Sequence, residues 1–260
     1  MGPLHNKTIG ITRQPKQAKW LVQAIRQKGG KALLLPTVAT CATENTADRD
    51  RVMAALSTYQ WLIFSSENAV KYFLAQLPED LPRQVLPKLA AVGRKTAQAL
   101  QNAGFYVDLV PPEFSAKGLL KVFSVLGIEQ QRFLLPTSNL ARDELPQGLR
   151  ALGAQADVVE FYRTVPNPQF NTEQFWQLLR QKELNVLTFF SPSAFNFLIR
   201  LAGEEVLTFL RDSQLPLAAI GPTTASAIKR YGLPVAIQPS VYDGQHLLEA
   251  LNVYFSERNM

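Results

Sequence analysis

The sequence is poor in the residue types on which many catalytic and structural sites depend. It has a single cysteine, Cys41, and two histidines, His5 and His246. One cysteine excludes an internal disulfide and cannot by itself build a thiolate metal site. We expect Cys41 to be a half-buried side chain near a linker and the histidines to lie on the surface. Because no further ligands stand at a suitable spacing, we predict no bound metal.

Long apolar runs are missing as well. No stretch reaches the roughly eighteen consecutive apolar residues that a membrane-spanning helix needs, and residues 1–7 contain no apolar signal core. We therefore expect a cytoplasmic protein with no membrane partner. The chain of 260 residues is 47% hydrophobic, which is enough for a substantial core and fits two domains of ordinary size.

Acidic residues are fewer than basic ones, and the formal net charge is +6. Excess positive charge raises the local concentration of anions, so an anionic partner is expected. Lysine and arginine are spread in ones and twos, without the basic block or aromatic-interleaved stripe of a nucleic-acid groove. A small polyanion explains the charge, and we predict no nucleic-acid partner.

Conventional catalytic signatures are also absent. The sequence has no Walker loop, complete G-x-G-x-x-G, H-E-x-x-H or nucleophile elbow. Any chemistry must therefore depend on positioning, charge stabilisation and at most one hydroxyl proton donor.

Short β-rich runs alternate with amphipathic helical stretches almost from end to end, which is the pattern of a parallel sheet with helical crossovers. The predicted fold class is α/β, with doubly wound parallel sheets. Strands are predicted at residues 8–12, 32–35, 61–64, 88–92, 107–109, 132–135, 156–161, 186–190, 217–220 and 235–237. Predicted helices at residues 14–28, 94–103 and 223–231 are each followed by glycine, which favours the left-handed backbone of a helix C-terminus.

The chain also repeats itself, which indicates duplication. Residues 93–120 match residues 221–248 at an offset of 128 (221 − 93). Residues 9–29 match residues 133–153 at an offset of 124 (133 − 9), and the turn around Ser66 matches the turn around Ser191. The repeated segments therefore follow the order A, B, A′, B′.

Two connections, residues 36–47 and 162–168, are predicted to be linkers because they combine Pro, Thr or Asn with interrupted periodicity. If both cross between domains, residues 37–165 form one domain, and residues 1–36 with 166–260 form the other. A contiguous arrangement with a boundary near Glu129 is the alternative.

In each copy of the repeat an apolar strand leads to a glycine and then, as a helix begins, to a threonine. A helix N-terminus presents unpaired N–H groups and the positive end of the dipole, which suit a carboxylate or phosphate. Each turn alone is explained more simply by helix capping. Several such turns at the carboxyl ends of strands favour a shared anion site between the domains. These turns contain Ser66, Gly93, Thr96, Ser191, Gly221 and Thr224.

Two further motifs are more specific. Asn-Leu-x-Arg-(Asp/Glu)-x-Leu-Pro occupies residues 139–146, and Tyr-x-Thr occupies residues 162–164. Together with Thr12-Arg13, the serine turns and residues 220–225, their order and spacing resemble the uroporphyrinogen-III synthases over nearly the whole chain, from Thr12 to Leu251.

The resemblance implies a cofactor-free lyase that converts hydroxymethylbilane, a linear tetrapyrrole with eight carboxylates, into uroporphyrinogen III, losing water and inverting the last ring. It implies two similar α/β domains joined by two linkers, with the substrate in the cleft between them. This favours the discontinuous domain arrangement. We expect a monomer, and the resemblance leaves open a transient contact with hydroxymethylbilane synthase.

The resemblance also implies roles for individual residues. Tyr162 would be the catalytic residue, its phenol donating to the departing hydroxyl; a tyrosine that merely packs at the hinge is the alternative. Hydroxyls and backbone N–H groups would hold substrate carboxylates. Those substrate-binding positions are Ser66, Gly93, Thr96, Ser191, Gly221, Thr223 and Thr224, with Arg13, Lys95 and Arg142 as charge partners. Arg142 is equally consistent with a salt bridge.

Two other classes compete. A two-lobed ligand-binding module has the same architecture but usually carries an export signal, which residues 1–7 do not resemble. A doubly wound regulator or nucleotide-binding protein would need an acidic cluster or phosphate loop after the first strand, and residues 12–15 supply neither.

Overall fold

The computed structural model describes residues 2–44, 46–78 and 86–258, and the chain divides into two compact units. Unit 1 comprises Met1–Ala39 and Val165–Met260, and unit 2 comprises Thr40–Thr164. Each unit has its own parallel sheet with apolar clusters on both faces. The prediction of an α/β fold with parallel sheets is confirmed.

The described elements mostly alternate between strands and helices, with one pair of consecutive strands, three pairs of consecutive α-helices and a short 3-10 helix, Leu56–Thr58, after the second helix. In chain order they are β1 (Thr8–Ile11), α1 (Pro15–Gln27), β2 (Lys31–Leu34), β3 (Val38–Ala42), α2 (Ala47–Ala54), β4 (Trp61–Phe64), α3 (Glu67–Leu74), β5 (Lys88–Ala91), α4 (Arg94–Asn102), α5 (Ala116–Leu126), β6 (Arg132–Ser138), α6 (Glu144–Ala151), β7 (Gln155–Pro166), α7 (Thr172–Arg180), β8 (Val186–Phe189), α8 (Pro192–Ala202), α9 (Glu205–Asp212), β9 (Leu217–Ala219), α10 (Pro222–Lys229) and α11 (Gly244–Glu257).

Helix α1 shows how local sequence sets an element and its end. Proline stands at its first position, where the missing N–H costs nothing. Its buried residues recur at helical spacing on one face; they are Ala18, Leu21, Val22 and Ile25. The helix ends just before Gly29, which adopts a φ of 80°. Gly104 and Gly232 likewise have positive φ after α4 and α10, as the sequence predicts.

The sheet of unit 1 has the strand order β2-β1-β8-β9, and every pair is parallel. Successive side chains on a strand point to opposite faces. Val186 therefore packs with α1 and α11, whereas Leu187 and Phe189 pack with α7 to α10. Because both faces are covered, the strands are apolar throughout rather than alternating. Thr188 is buried among them and donates to the Gly10 carbonyl at 2.8 Å.

The sheet of unit 2 has the order β3-β7-β6-β4-β5. Its last four strands repeat the order of unit 1, with β7, β6, β4 and β5 in the places of β2, β1, β8 and β9. Leu62 and Phe64 belong to one apolar cluster, and Trp61 and Ile63 belong to the other. Strand β3 is therefore an addition at the edge of a sheet that is otherwise the same in both units.

The two predicted linkers contain strands that the sequence did not predict. Strand β3 lies within residues 36–47, β7 continues through Pro166, and the two strands are neighbours in the sheet. This pairing joins positions far apart in sequence, so local composition does not reveal it. Cys41, on β3, is exposed rather than half-buried. Asn167 follows β7 and donates its backbone N–H to the Thr37 carbonyl at 2.9 Å.

The strands predicted at residues 107–109 and 235–237 are reduced to single bridges, Ala90 with Leu109 and Ala218 with Ile237. Both bridges are parallel and are related by the offset of 128 that the sequence shows (218 − 90). The duplication therefore extends to this irregular feature of each sheet edge.

Candidate active site

Ser66 lies at the carboxyl end of β4, where it caps helix α3. Its backbone is extended, and its hydroxyl accepts the backbone N–H of Ala69 at 3.0 Å. A serine at this position satisfies one of the unpaired N–H groups of the first helical turn. The predicted order of strand, serine and helix is thus present in unit 2.

Tyr162 reaches the same serine from strand β7. The Tyr162 and Ser66 hydroxyl oxygens are 3.1 Å apart, and 7% of the tyrosine surface is accessible. The Tyr72 ring, on α3, stacks on the Tyr162 ring with centroids 5.1 Å apart and planes inclined by 8°. The Tyr72 hydroxyl in turn donates to Thr40 Oγ1 at 3.2 Å. The structure therefore brings together the predicted catalytic tyrosine and one predicted binding serine.

Tyr72 and Thr40 are members of this cluster that the sequence analysis did not select. A usable signal for Tyr72 existed, because it stands three residues after the buried Ala69 and beside the buried Phe73 on α3. That spacing indicates a side chain directed toward the interior. No comparable signal marks Thr40, because its strand was interpreted as a linker.

The two motifs that carry the family resemblance contact each other in unit 2. The Asn139 side chain accepts the Thr164 backbone N–H at 2.8 Å and donates to the Thr164 carbonyl at 3.3 Å. Near this contact β6 and β7 change register by a bulge, so that Ser138 stands opposite Tyr162. Asn139 thus fixes the strand end that carries Tyr162. Arg142 is exposed and forms no ion pair with the described residues.

The glycine turn of unit 2 leaves the N-terminus of α4 open. Gly93 occupies the N-cap position with extended backbone (φ −146°), and no side chain caps the first turn. A Cβ atom at Gly93 would meet only Phe114 Cβ, at 4.0 Å. Thr96 is buried, and its hydroxyl forms no hydrogen bond within the described part of the chain. Lys95 is exposed beside it.

The matching turn of unit 1 begins α10 but is more crowded. Gly221 has extended backbone (φ −176°), so neither glycine is required by its conformation. A Cβ atom at Gly221 would lie 3.0 Å from the Tyr242 ring, and Tyr242 stands where unit 2 has Phe114 (242 − 114 = 128). Thr224 is buried and, like its counterpart, does not cap the helix, whereas Thr223 is exposed. The capping explanation is therefore wrong for both buried threonines.

Ser191 and Arg13 follow neighbouring strands of unit 1. Ser191 caps α8 by accepting the Ala194 backbone N–H at 3.1 Å, and its second contact is the Ser193 hydroxyl at 2.9 Å. The Arg13 guanidinium lies 5.1 Å from the centre of the Phe190 ring. Unit 1 thus repeats the capped serine turn of unit 2, with Ser193 in contact with the serine instead of a tyrosine.

The clearest pKa change among the described residues lies at the amino ends of the strands of unit 2, away from these turns. Burial and a 2.5 Å hydrogen bond to Asp157 raise the pKa of Tyr59 to about 12. Arg132 contacts both partners, at 3.2 Å from Asp157 and 4.6 Å from the Tyr59 ring. This cluster ties β4, β6 and β7 together and contributes no predicted site residue.

Within residues 2–44, 46–78 and 86–258, no group of three His, Cys, Asp or Glu side chains is arranged to hold a metal ion. The same residues include no helix that is both long and apolar enough to cross a membrane. The helix N-termini described above offer hydroxyls, backbone N–H groups and a few basic side chains.

The family described as uroporphyrinogen-III synthase HemD matches residues 19–249. The chain belongs to the uroporphyrinogen-III synthase family. A putative uroporphyrinogen-III synthase of Methanothermobacter thermautotrophicus is 30% identical over 255 residues, 96% of this chain and 99% of the relative. The uroporphyrinogen-III synthase of Synechococcus elongatus is 30% identical over 258 residues, covering 96% of each chain.

Solved structures agree on the fold of the uroporphyrinogen-III synthases. A crystal structure of a mutant uroporphyrinogen III synthase from Thermus thermophilus superposes with a TM-score of 0.64 at 19% identity, covering 96% of this chain and 99% of that one. At such low identity the match supports the fold alone. The membership predicted from the sequence motifs is confirmed by the family match.

Proposed function

We propose that this protein cyclises hydroxymethylbilane to uroporphyrinogen III, with loss of water and inversion of the last ring. The observation that carries the proposal is the family match over residues 19–249. The placement of Tyr162 beside Ser66 supports it, because the reaction needs one proton donor for the departing hydroxyl.

In the proposed reaction the C–O bond of the terminal hydroxymethyl group breaks. The oxygen keeps the electron pair, takes the Tyr162 proton and departs as water. The substituted carbon of the last ring, and not its free α-position, then attacks the resulting cation and becomes a carbon shared by two rings. The bond from that carbon to the bridge of the neighbouring ring breaks, which leaves a second cation at the bridge carbon. The free α-position of the last ring attacks this second cation, so that the last ring is inverted. The last ring later loses its α-hydrogen as a proton, which balances the proton that Tyr162 gave.

We propose that the remaining predicted residues bind carboxylates. The open N-terminus of α4 offers unpaired N–H groups beside the hydroxyl of Thr96, and Lys95 adds a positive charge. The first turn of α10, with Thr223 and Thr224, offers the same groups in unit 1. Ser191, Arg13 and Arg142 complete the set. The enzyme would then act mainly as a template that fixes the conformation of a flexible substrate.

We propose that the protein is a cytoplasmic monomer and needs no cofactor. Its domain boundaries would lie near residues 36 and 165. A transient contact with hydroxymethylbilane synthase would deliver the unstable substrate. Light scattering of the purified protein, alone and mixed with that enzyme, tests both the monomer and the contact.

The direct test of function is product identity. Freshly made hydroxymethylbilane is mixed with the purified protein, and the oxidised products are separated by isomer. Predominant type III product is expected. A product mixture that matches the uncatalysed type I control would overturn the proposal.

A further inference from the structure

The hydrogen bond between Ser66 and Tyr162 can run in either direction, because each hydroxyl can donate to the other. The Ser66 oxygen accepts the Ala69 N–H at 3.0 Å, and a backbone N–H can only donate. One acceptor position of Ser66 is therefore occupied, and its single hydrogen remains to be placed. Its other contact among the described residues is the Tyr162 hydroxyl at 3.1 Å.

If Tyr162 donated to Ser66, the phenol hydrogen would already be committed, and the serine hydrogen would have no acceptor among the described side chains. If Ser66 donates to Tyr162, both contacts of the serine are used and the phenol hydrogen stays free. Each arrangement leaves one hydroxyl hydrogen without an acceptor among the described residues, the serine hydrogen in the first and the phenol hydrogen in the second. Only the second leaves the phenol hydrogen available for a substrate, and in it the hydrogen bond that Ser66 accepts strengthens Ser66 as a donor.

We propose that Ser66 is a positioning residue that donates to the Tyr162 oxygen and thereby directs the tyrosine proton toward the substrate. As Tyr162 gives up that proton, the Ser66 hydrogen bond stabilises the phenolate that forms. This inference rests on the proposed function, and it replaces the prediction that Ser66 binds a substrate carboxylate.

Two further features of the cluster fit this role. The Tyr72 ring covers one face of the Tyr162 ring, and the bond from Tyr72 to Thr40 holds it there. The Tyr162 ring plane is therefore fixed by stacking, while Ser66 fixes the direction of its hydroxyl. The tyrosine donor would be preorganised before the substrate arrives.

Ser191 provides a matched control within the same chain. It caps its helix as Ser66 does, through the N–H three residues later at 3.1 Å, but its second contact is Ser193. Substituting either serine by alanine removes the same kind of cap. Only the change at Ser66 removes a hydrogen bond to a tyrosine.

The test is a double-substitution cycle with steady-state kinetics. Ser66→Ala should lower kcat about tenfold, a fraction of what a general acid supplies, with less change in KM. Ser66→Thr keeps the hydroxyl and should restore most of kcat. In a Tyr162→Phe background, Ser66→Ala should have no further effect on kcat, because the group that it directs is gone. Ser191→Ala should change kcat by the same factor whether position 162 is Tyr or Phe.

Three outcomes would overturn the inference. One is a raised KM with unchanged kcat for Ser66→Ala, which would make Ser66 a carboxylate ligand. Another is an equal loss of kcat from Ser66→Ala with and without the Tyr162 hydroxyl. The third is a Ser66→Thr variant as slow as Ser66→Ala. Formation of type III product by the unaltered protein is scored separately, so failure of the inference is distinguished from failure of the proposed function.

Discussion

Tyr72 and Tyr162 stack nearly parallel, their ring centroids 5.1 Å apart, although 90 positions separate them in sequence (162 − 72). Replacing Tyr72 with Leu removes both the stack and the bond to Thr40. We expect the free energy of unfolding to fall by about 1–3 kcal/mol, the sum of an aromatic pair and one net hydrogen bond. We expect kcat to fall as well, because Tyr162 loses its support.

Tyr72→Phe is the matched control, since it keeps the stack and removes only the hydroxyl. Chemical denaturation and steady-state kinetics on both variants give the comparison. Leu and Phe variants with the same kcat would show that the stack does not position Tyr162.

The open space at Gly93 leads to a second prediction. Gly93→Ala places a Cβ no closer than 4.0 Å to other atoms, in extended backbone that alanine adopts freely. The free energy of unfolding should therefore change by less than about 1 kcal/mol, and the reduced freedom of the unfolded chain favours an increase. KM should rise several-fold if a carboxylate approaches the amides there, because the methyl group blocks close approach.

Gly221→Ala serves as the comparison, because its Cβ would lie 3.0 Å from the Tyr242 ring and must displace it. The midpoint temperature of thermal unfolding should be lower for Gly221→Ala than for Gly93→Ala. An unchanged KM for Gly93→Ala would remove this turn from the binding site.

The charge of Lys95 leads to a third prediction. Lys95→Ala should raise KM about two- to fivefold with a smaller effect on kcat, the range expected for an exposed ion pair of up to roughly 1 kcal/mol. Added salt should raise the KM of the unaltered protein more than that of the variant. Lys88→Ala is the control, because Lys88 is exposed at the opposite, amino end of β5. If both substitutions raise KM equally, the effect is one of net charge and not of position.

Some features of the fold and of the candidate site follow from local sequence, and others depend on strand pairing between distant segments. Local signals sufficed for the helix ends at Gly29 and Gly104 and for the serine turns, because capping depends on a few adjacent residues. The pairing of Tyr162 with Ser66 could not be derived, because it requires β7 to continue past residue 161 beside β6. The proline, threonine and asparagine of residues 162–168 instead suggested a linker.

The raised pKa of Tyr59 leads to a fourth prediction, on stability. The neutral phenol donates to Asp157, so its contribution is complete below pH 10.0, the ordinary pKa, and is lost as pH rises toward about 12. At pH 8 we expect Tyr59→Phe to lower the free energy of unfolding by about 2 kcal/mol, as for a hydrogen bond to a charged group. The difference from the unaltered protein should shrink between pH 10 and pH 12. A difference that stays constant over that interval would contradict the assignment.

The account depends most on Tyr162 as the proton donor. The measurement that tests this directly is single-turnover cyclisation of hydroxymethylbilane by the Tyr162→Phe variant, with the product isomer determined in the same reaction. We predict a rate about a hundredfold lower, the lower end of what general acid catalysis contributes. The half-saturating concentration should be nearly unchanged and type III product retained, because the substrate is still held in the same conformation. A Phe variant that cyclises at the unaltered rate would contradict the account.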